Sequence, residues 1–505
     1  MTLRRIDVAA CALALAILSP RAASATPLLE TLGTPGSNGG FSGVVSSPSA
    51  ASAYFNPAML EDAPDDVLLG VAVLTEQISV TLDGRPAGAD VPLAVGSRGV
   101  VGPNGKPLPN DTVPTDWLKN GCTPGAEGNQ CPTHPFAARP RQAQGSSGAT
   151  HGYLLVGAVK HVVKDRATLG IYMALPLGKL TTAESFYSDE REQLFSNSLH
   201  PELYGDRLTA ISIALGASFR VLRTLSVGVG TTFGLSNSAT SATYVRDSSN
   251  YSTLLLNNDV GVTMALAPHF GVYWTPLPWF RAGFSLHAPQ SLTIDESIAT
   301  TLPDGVASSA QKEQVHDYMP WRAALGAEVD VVRGRRHGMS LTASVERINW
   351  SSYRDRHGES PSVYGQDLAW SDTMNWSVGV RHRYRAARAF MDLQYAPTPV
   401  PAQVGRSDYV DSDRLGAAIG ADVMLDIGGM KVRPGISLVG YRLVWRHQTK
   451  DDTRILDEVP DHARFAENGA PLPGASGLQT NNPGWPGFGS DGWVYGGTAT
   501  VEVVF

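Results

Sequence analysis

The sequence contains no apolar segment long enough to cross a bilayer as a helix. The apolar run near its start covers only 8–18, whereas a spanning helix needs about 20 residues. This run follows Arg4 and Arg5 and precedes Ala23-Ser24-Ala25, which is the pattern of a secretory signal peptide. We therefore expect a signal peptide at 1–25, cleaved after Ala25, and an exported protein.

Cysteine is scarce, with 3 in 505 residues. Cys122 and Cys131 follow the expected signal peptide and lie in a stretch rich in Gly and Pro. In an oxidising compartment this spacing predicts a small local disulfide. A metal site would need more ligands nearby than His134 supplies, so we expect neither a metal nor a cofactor.

Catalytic and nucleic-acid-binding motifs are also missing. We find no nucleophile elbow G-x-S-x-G, no His-Glu-x-x-His and no phosphate loop, and no motif links His287 or His382 to a serine. The net charge of −7 is spread along the chain, without the basic stripe that nucleic-acid binding needs. We expect neither an enzyme nor a nucleic-acid-binding protein.

Period-2 alternation of apolar and small or polar residues runs through the chain, as in 225–235, and predicts β-strands. About fourteen strands follow from this rule. Their approximate spans are 67–80, 151–163, 166–180, 207–222, 224–240, 256–275, 278–296, 314–332, 337–350, 373–385, 388–397, 412–426, 430–447 and 491–505. Short and long connections alternate strictly, which is typical of an outer-membrane β-barrel with short periplasmic turns and long external loops. The fold class is therefore all-β, a transmembrane antiparallel barrel at 67–505.

The last strand supports this interpretation. Trp493, Tyr495, Val501 and Phe505 share one face of 493–505, and Thr498, Thr500 and Glu502 share the other. An apolar face with aromatic residues at its ends suits a strand that faces lipid. The terminal Phe505 also resembles the signal read by the barrel-assembly machinery.

The region 26–66, before the first strand, is rich in Gly, Ser, Ala and Pro. It could be a disordered tail or fold inside the barrel. Because Phe41, Tyr54 and Phe55 need burial, we predict an N-terminal hatch that plugs the lumen.

Two segments resemble a known family. Tyr54-Phe-Asn-Pro-Ala58 is similar to the Asn-Pro-Ala segment in the hatch of FadL/TodX-type outer-membrane transporters, and 395–414, with its Asp-Ser-Asp-Arg end, resembles a late loop of the same family. That family has fourteen strands and an N-terminal hatch, and it carries long-chain fatty acids or aromatic hydrocarbons. The resemblance implies an outer groove, an inner pocket blocked by the hatch and lateral exit through the wall.

Candidate residues for ligand binding and gating either lie in the expected hatch or occupy inward-facing positions of a strand. Inward and outward positions alternate along a strand, and we call this rule strand parity. They are Phe41, Tyr54, Phe55, Asn56, Pro57, Arg281 and Arg322. Pro57 restricts Asn56 to extended geometry, and the Asn56 amide can bridge backbone groups of hatch and wall. Arg281 or Arg322 could bind a fatty-acid carboxylate.

Parity also places other charged residues on lumen faces: Glu328, Asp330, Glu346, Asp392, Arg414, Asp422 and Glu502. Two arginine clusters near short turns are interpreted as solvated turn charges: Arg381, His382, Arg383 and Arg385, and Arg333, Arg335 and Arg336.

These observations favour a passive transporter of hydrophobic molecules in the outer membrane of a Gram-negative bacterium. The expected partners are the hydrophobic ligand, outer-membrane lipids, lipopolysaccharide and the assembly machinery, and we expect a monomer. The alternatives are a general porin and a structural or adhesive surface protein.

Overall fold

The computed structural model describes residues 28–34, 40–82, 144–178, 208, 211–244, 255–301, 307–354, 362–363, 366–367, 369–403, 409–449 and 487–505. Fourteen antiparallel strands form a closed barrel, which confirms the predicted fold class. The strands are β1 Asp66–Leu82, β2 Gln144–Val163, β3 Ala167–Pro176, β4 Ser212–Leu222, β5 Leu225–Tyr244, β6 Leu255–Leu277, β7 Phe280–His287, β8 Arg322–Arg333, β9 His337–Ile348, β10 Thr373–Tyr384, β11 Ala387–Ala396, β12 Arg414–Val423 (continued as Leu425–Ile427), β13 Met430–Thr449 and β14 Gly487–Val504. β1 pairs with β2 on one side and with β14 on the other, which closes the ring.

Side chains alternate between the outer surface and the interior along each strand. In β1, Leu69 and Val71 are half exposed on the outer surface, whereas Leu68, Ala72 and Leu74 are buried inside. Each described strand of the wall pairs with a neighbour on both sides, so its backbone polar groups are satisfied within the wall and the apolar outer face can contact lipid.

The last strand follows the predicted parity. Trp493, Tyr495 and Phe505 are exposed on the outer surface of β14, and Thr500 and Glu502 are buried on its inner face. The predicted division of this strand into a lipid face and a lumen face is confirmed.

Short turns join successive hairpins at one end of the barrel. They lie at 164–166, 223–224, 278–279, 334–336, 385–386 and 428–429. Gly428 and Gly429 have φ of 63° and 87°, which glycine adopts without steric strain in a tight hairpin turn. The expected signal peptide, the Cys122–Cys131 pair and most of the long external loops lie outside the described residues.

The sequence prediction fails between β7 and β8. The strands predicted at 278–296 and 314–332 are each interrupted, at Pro289 and at Pro320, because proline lacks the N–H that a continuous ladder needs. The outer parts form a separate hairpin, Gln290–Thr301 with Ala307–Met319. This hairpin leaves the wall and pairs in parallel with the outer half of β5.

The part of the chain before β1 forms short helices. They are α1 Leu28–Leu32, α2 Ser52–Phe55 and a 3₁₀ helix Pro57–Asp62. We call residues 28–34 and 40–63 the N-terminal segment. Its second half packs against β3, β4, β5 and β6. Further along the chain are a 3₁₀ turn Trp350–Ser352 and a two-stranded hairpin Ser362–Val363 with Gln366–Asp367. Among the described residues, no helix is long and apolar enough to cross a membrane.

Candidate functional site

The N-terminal segment is buried against the inner surface of the wall. Leu28, Leu29, Tyr54 and Leu60 are at most 1% exposed. They form one hydrophobic core with inward-facing wall residues such as Tyr153. The main core of the protein therefore lies between this segment and the wall, since the other side of the wall is the lipid-facing surface.

Asn56 is the polar centre of this segment. Its backbone is extended, with φ −160° and ψ 96°, as expected before Pro57, which begins the 3₁₀ helix. The side-chain Nδ2 donates to the carbonyl oxygen of Val44 at 2.7 Å and to that of Val272 in β6 at 3.1 Å. Its Oδ1 accepts from the backbone N of Ala58 at 3.2 Å and caps the 3₁₀ helix. One fully buried amide thus satisfies backbone groups of the segment and of the wall.

Inward-facing glycines let the segment approach the wall this closely. A Cβ on Gly271 would lie 2.1 Å from Asn56 Oδ1, and one on Gly228 would lie 2.2 Å from the backbone N of Ala58. Gly228 and Gly271 are direct partners in the β5–β6 register. A Cβ on Gly283 in β7 would lie 2.0 Å from the Val44 oxygen. Any larger residue at these positions would collide with the segment, with its backbone at Gly228 and Gly283 and with the Asn56 side chain at Gly271.

Arg322 connects the wall to α1. Its Nη1 lies 2.5 Å from Glu30 and 3.1 Å from Glu346, and its Nη2 donates to the Tyr54 hydroxyl at 2.5 Å. The Tyr54 hydroxyl in turn donates to Glu30. Burial raises the pKa of the Glu30 carboxyl, and the Arg322 guanidinium opposes that shift. The Arg322 guanidinium therefore forms ion pairs with two carboxylates, Glu30 of the segment and Glu346 of the wall.

A buried ion pair between two wall strands also holds the segment through hydrogen bonds, and sequence reasoning missed it. Arg381 in β10 and Asp392 in β11 are 2% and 0% exposed and form a bidentate pair. Arg381 Nε donates to the Ser46 hydroxyl at 3.0 Å, and Asp392 accepts from the backbone N of Phe41 at 2.7 Å. The interpretation of Arg381 as a solvated turn charge is wrong. The odd-numbered residues of β10 point into the barrel, and Arg381 is buried there together with Asn375 and Ser377.

Arg281 lies apart from these contacts. It donates two hydrogen bonds of 2.9 Å to Asp330 and lies 3.2 Å from Glu328. It lines a cavity of about 480 Å³ at the end of the barrel where the short turns are. The two arginines predicted from parity thus occupy different levels of the lumen, and both already have carboxylate partners.

Two small cavities lie beside the segment. The first, of about 60 Å³, is lined by Phe41, Phe55 and Arg322 among others. The second, of about 40 Å³, is lined by Trp350 and Tyr441 among others. They share the lining residues Glu30, Glu346, Asn375 and Gln394, so they follow one another along the inner wall.

An aromatic cluster lies next to the second cavity, at the end of the barrel opposite the short turns. Tyr353 stacks on Trp370 with ring centroids 3.7 Å apart, and Trp350 and Tyr409 pack against Trp370 at 5.5 and 5.7 Å. The buried Trp370 Nε1 has no hydrogen-bond partner among the described residues. Sequence reasoning did not single out this cluster as a site, because its members come from irregular segments that show no periodicity.

The sequence matches the family model of outer membrane protein transport proteins (OMPP1/FadL/TodX) over residues 150–432. The chain belongs to this family. Its members are transport proteins, so the predicted outer-membrane location and non-enzymatic class are both confirmed. No curated protein matches the sequence.

One solved structure shows the same fold, and two others are similar. The chain is similar to the crystal structure of a Pseudomonas aeruginosa FadL homologue, with a TM-score of 0.52 and 14% identity over 95% of this chain and 98% of that chain. It is also similar to the Pseudomonas putida toluene transporter TodX, with a TM-score of 0.45 and 10% identity over 95% and 99%. A third similar structure is the Ralstonia pickettii toluene transporter TbuX, with a TM-score of 0.41 and 11% identity over 96% and 99%. At 14% identity the likeness to the FadL homologue concerns the fold alone.

Proposed function

We propose that this chain carries hydrophobic small molecules, such as long-chain fatty acids or aromatic hydrocarbons, passively across the outer membrane. The region 26–66 acts as the hatch that controls passage. The proposal rests on one observation, a row of interior cavities that begins at an aromatic cluster and ends against the N-terminal segment.

The aromatic cluster provides the capture step. A hydrophobic solute gains roughly 25 cal/mol for each Å² of apolar surface that leaves water. Trp350 lines the second cavity at the outer end of the barrel, and the stacked Tyr353 and Trp370 pack against it, so the cluster makes this end of the cavity row apolar. The free N–H of Trp370 adds a donor that can bind a ligand oxygen.

Passage beyond this cluster requires the hatch to move. The two cavities measure about 60 and 40 Å³, whereas a cavity that holds benzene measures about 150 Å³. Neither cavity admits a ligand until the N-terminal segment shifts. Glu30 is the contact that a ligand can exchange, because a fatty-acid carboxylate that replaced it on Arg322 would release α1 from the wall.

A direct binding assay tests the proposal. The purified full-length chain in detergent is titrated with a labelled long-chain fatty acid and with a labelled aromatic hydrocarbon. Saturable binding of either ligand supports transport. If Glu30→Gln changes the affinity for the fatty acid but not for the hydrocarbon, the fatty-acid carboxylate replaces Glu30 on Arg322. If the folded protein binds neither ligand and shows large, steady ion conductance in planar bilayers, the chain is a porin and the proposal fails.

A further inference from the structure

Two neighbouring short turns carry an unusual concentration of basic residues. We call residues 333–337 and 382–385 the basic rim. It contains Arg333, Arg335, Arg336, His337, His382, Arg383 and Arg385, and no acidic residue. The backbone N of Arg385 donates to the carbonyl oxygen of Arg336 at 2.8 Å. The two turns therefore form a single surface.

The rim charges differ from the lumen arginines in having no carboxylate partners. Arg281 pairs with Asp330, and Arg388 pairs with Asp422. The rim arginines form no ion pair with any described carboxylate. Arg333, Arg335 and Arg383 line the same cavity as Glu328 and Asp330, but both of those carboxylates pair with Arg281. The rim arginines are thus left without an ion-pair partner among the described residues, an arrangement that an anion would stabilise.

The rim reaches the outer, lipid-facing surface of the barrel. Tyr384 is 43% exposed on that surface, the Arg385 guanidinium lies 5.4 Å from the centre of its ring, and the His337 ring lies 4.8 Å from it. Short turns of outer-membrane barrels face the periplasm. This part of the rim therefore lies at the level of the headgroups of the periplasmic leaflet.

An apolar groove runs along the outer surface next to the rim. It has a volume of about 510 Å³, and its apolar lining includes Tyr384, Ala387, Ala389, Ala421 and Ile436. His382 and the ion pair of Arg388 with Asp422 also line it, so its one carboxylate is already neutralised. The alanines of β11 and β12 leave a depression between the larger Tyr384 and Ile436, which are both exposed to lipid. Its volume is within the range of small-molecule sites, about 300–1,000 Å³.

We propose that the basic rim and this groove together bind an anionic glycerophospholipid of the periplasmic leaflet. An acyl chain lies in the groove, and the phosphate is held by Arg336 and Arg385. Guanidinium groups bind phosphate bidentately, and basic residues at a membrane surface attract anionic lipids. Lipopolysaccharide phosphates belong to the opposite leaflet, so the occupant is a phospholipid. This site is independent of the ligand path through the lumen.

Native mass spectrometry of the delipidated full-length chain tests this site. The probes are phosphatidylglycerol, phosphatidylcholine and inorganic phosphate. We expect phosphatidylglycerol to bind most tightly. Arg336→Gln combined with Arg385→Gln should weaken it by about 25-fold, about fivefold for each arginine. The matching lysine variants should retain most of the affinity, because they keep the charge.

Controls separate this site from general electrostatic attraction. Arg166 and Arg223 are exposed on two other short turns, so changing both to Gln should leave phosphatidylglycerol binding unchanged. Ala389→Phe, which fills the groove, should weaken binding of the lipid but not of inorganic phosphate. The proposal is overturned if the Arg166/Arg223 variant loses as much affinity as the rim variant. It is equally overturned if phosphatidylcholine binds as tightly as phosphatidylglycerol, or if inorganic phosphate competes as well as the lipid.

Discussion

Replacing Asn56 with alanine should loosen the N-terminal segment without unfolding the barrel. The change removes three hydrogen bonds and leaves the Val44 oxygen and the Ala58 N–H buried without their partner. The third acceptor, the Val272 oxygen, belongs to a strand whose backbone is already paired with β5, so it should matter less. The substitution therefore removes stabilisation mainly from the docked form of the segment, in which it packs against the wall.

The magnitude follows from these two groups. A buried polar group left without a partner costs about 1–3 kcal/mol. For two uncharged backbone groups we take the lower part of that range, about 1–2 kcal/mol each, so the two together should cost about 2–4 kcal/mol. When the segment leaves the wall, both groups are hydrated and the penalty disappears. The equilibrium between the docked and released forms should therefore shift by about 30- to 1,000-fold towards release.

Hydrogen–deuterium exchange measures this shift directly. In the full-length Asn56→Ala chain in detergent, amides of 44–62 should exchange about 30- to 1,000-fold faster, and those of β12 should not change. Asn257→Ala is the matched control, because Asn257 is exposed in β6. Unchanged exchange at Ala58 would refute the reasoning, since the residue could then not be the polar anchor of the segment.

Three further predictions follow from the site. Gly283→Leu should displace the segment and raise ion conductance in planar bilayers. Gly440→Ala should not, because its Cβ would make only an ordinary contact at 3.9 Å. Equal conductance of the two variants would contradict the close packing at Gly283. Asp392→Asn leaves Arg381 buried without counter-charge and should lower the free energy of unfolding in urea by about 3–5 kcal/mol; an unchanged unfolding midpoint would argue against a buried pair. Trp370→Phe removes the free indole N–H, so it should weaken binding of a fatty acid and spare an aromatic hydrocarbon; equal losses for both ligands would assign Trp370 a packing role only.

Face assignments could be predicted from the sequence because a barrel wall imposes a strict period of two. Glu502 and Asp392 lie inside the barrel as parity requires, at 1% and 0% exposure. The prediction for Arg381 is wrong for a specific reason. Arg381 belongs to a run of basic residues near a turn, which indicates solvated charges, whereas the period of two along β10 indicates an inward position. The same parity rule, applied consistently, identifies it as a lumen residue, which the β10–β11 register places diagonally across from Asp392.

Other features depend on contacts between distant segments, which local patterns do not contain. The paired glycines Gly228 and Gly271 meet only through the β5–β6 register. Trp350 and Trp370 come from two irregular segments whose approach is fixed by the barrel. The interruption at Pro289 had a local signal, the missing N–H of proline, but the apolar alternation on both sides of it suggested one continuous strand.

The two kinds of attachment of the N-terminal segment imply an order of release. Around Asn56 the segment is fixed by backbone packing against glycines, and any movement there breaks several buried contacts at once. At α1 the segment packs against the wall through Leu28 and Leu29, and its charged attachment is the ion pair between Glu30 and Arg322, beside the cavities that a ligand would reach first. A carboxylate can replace Glu30 without leaving Arg322 unpaired, whereas no ligand group can replace the Asn56 contacts. Release should therefore begin at α1. Hydrogen–deuterium exchange measured with ligand present tests this order. Amides of 28–34 should lose protection before those of 44–62 if α1 is released first.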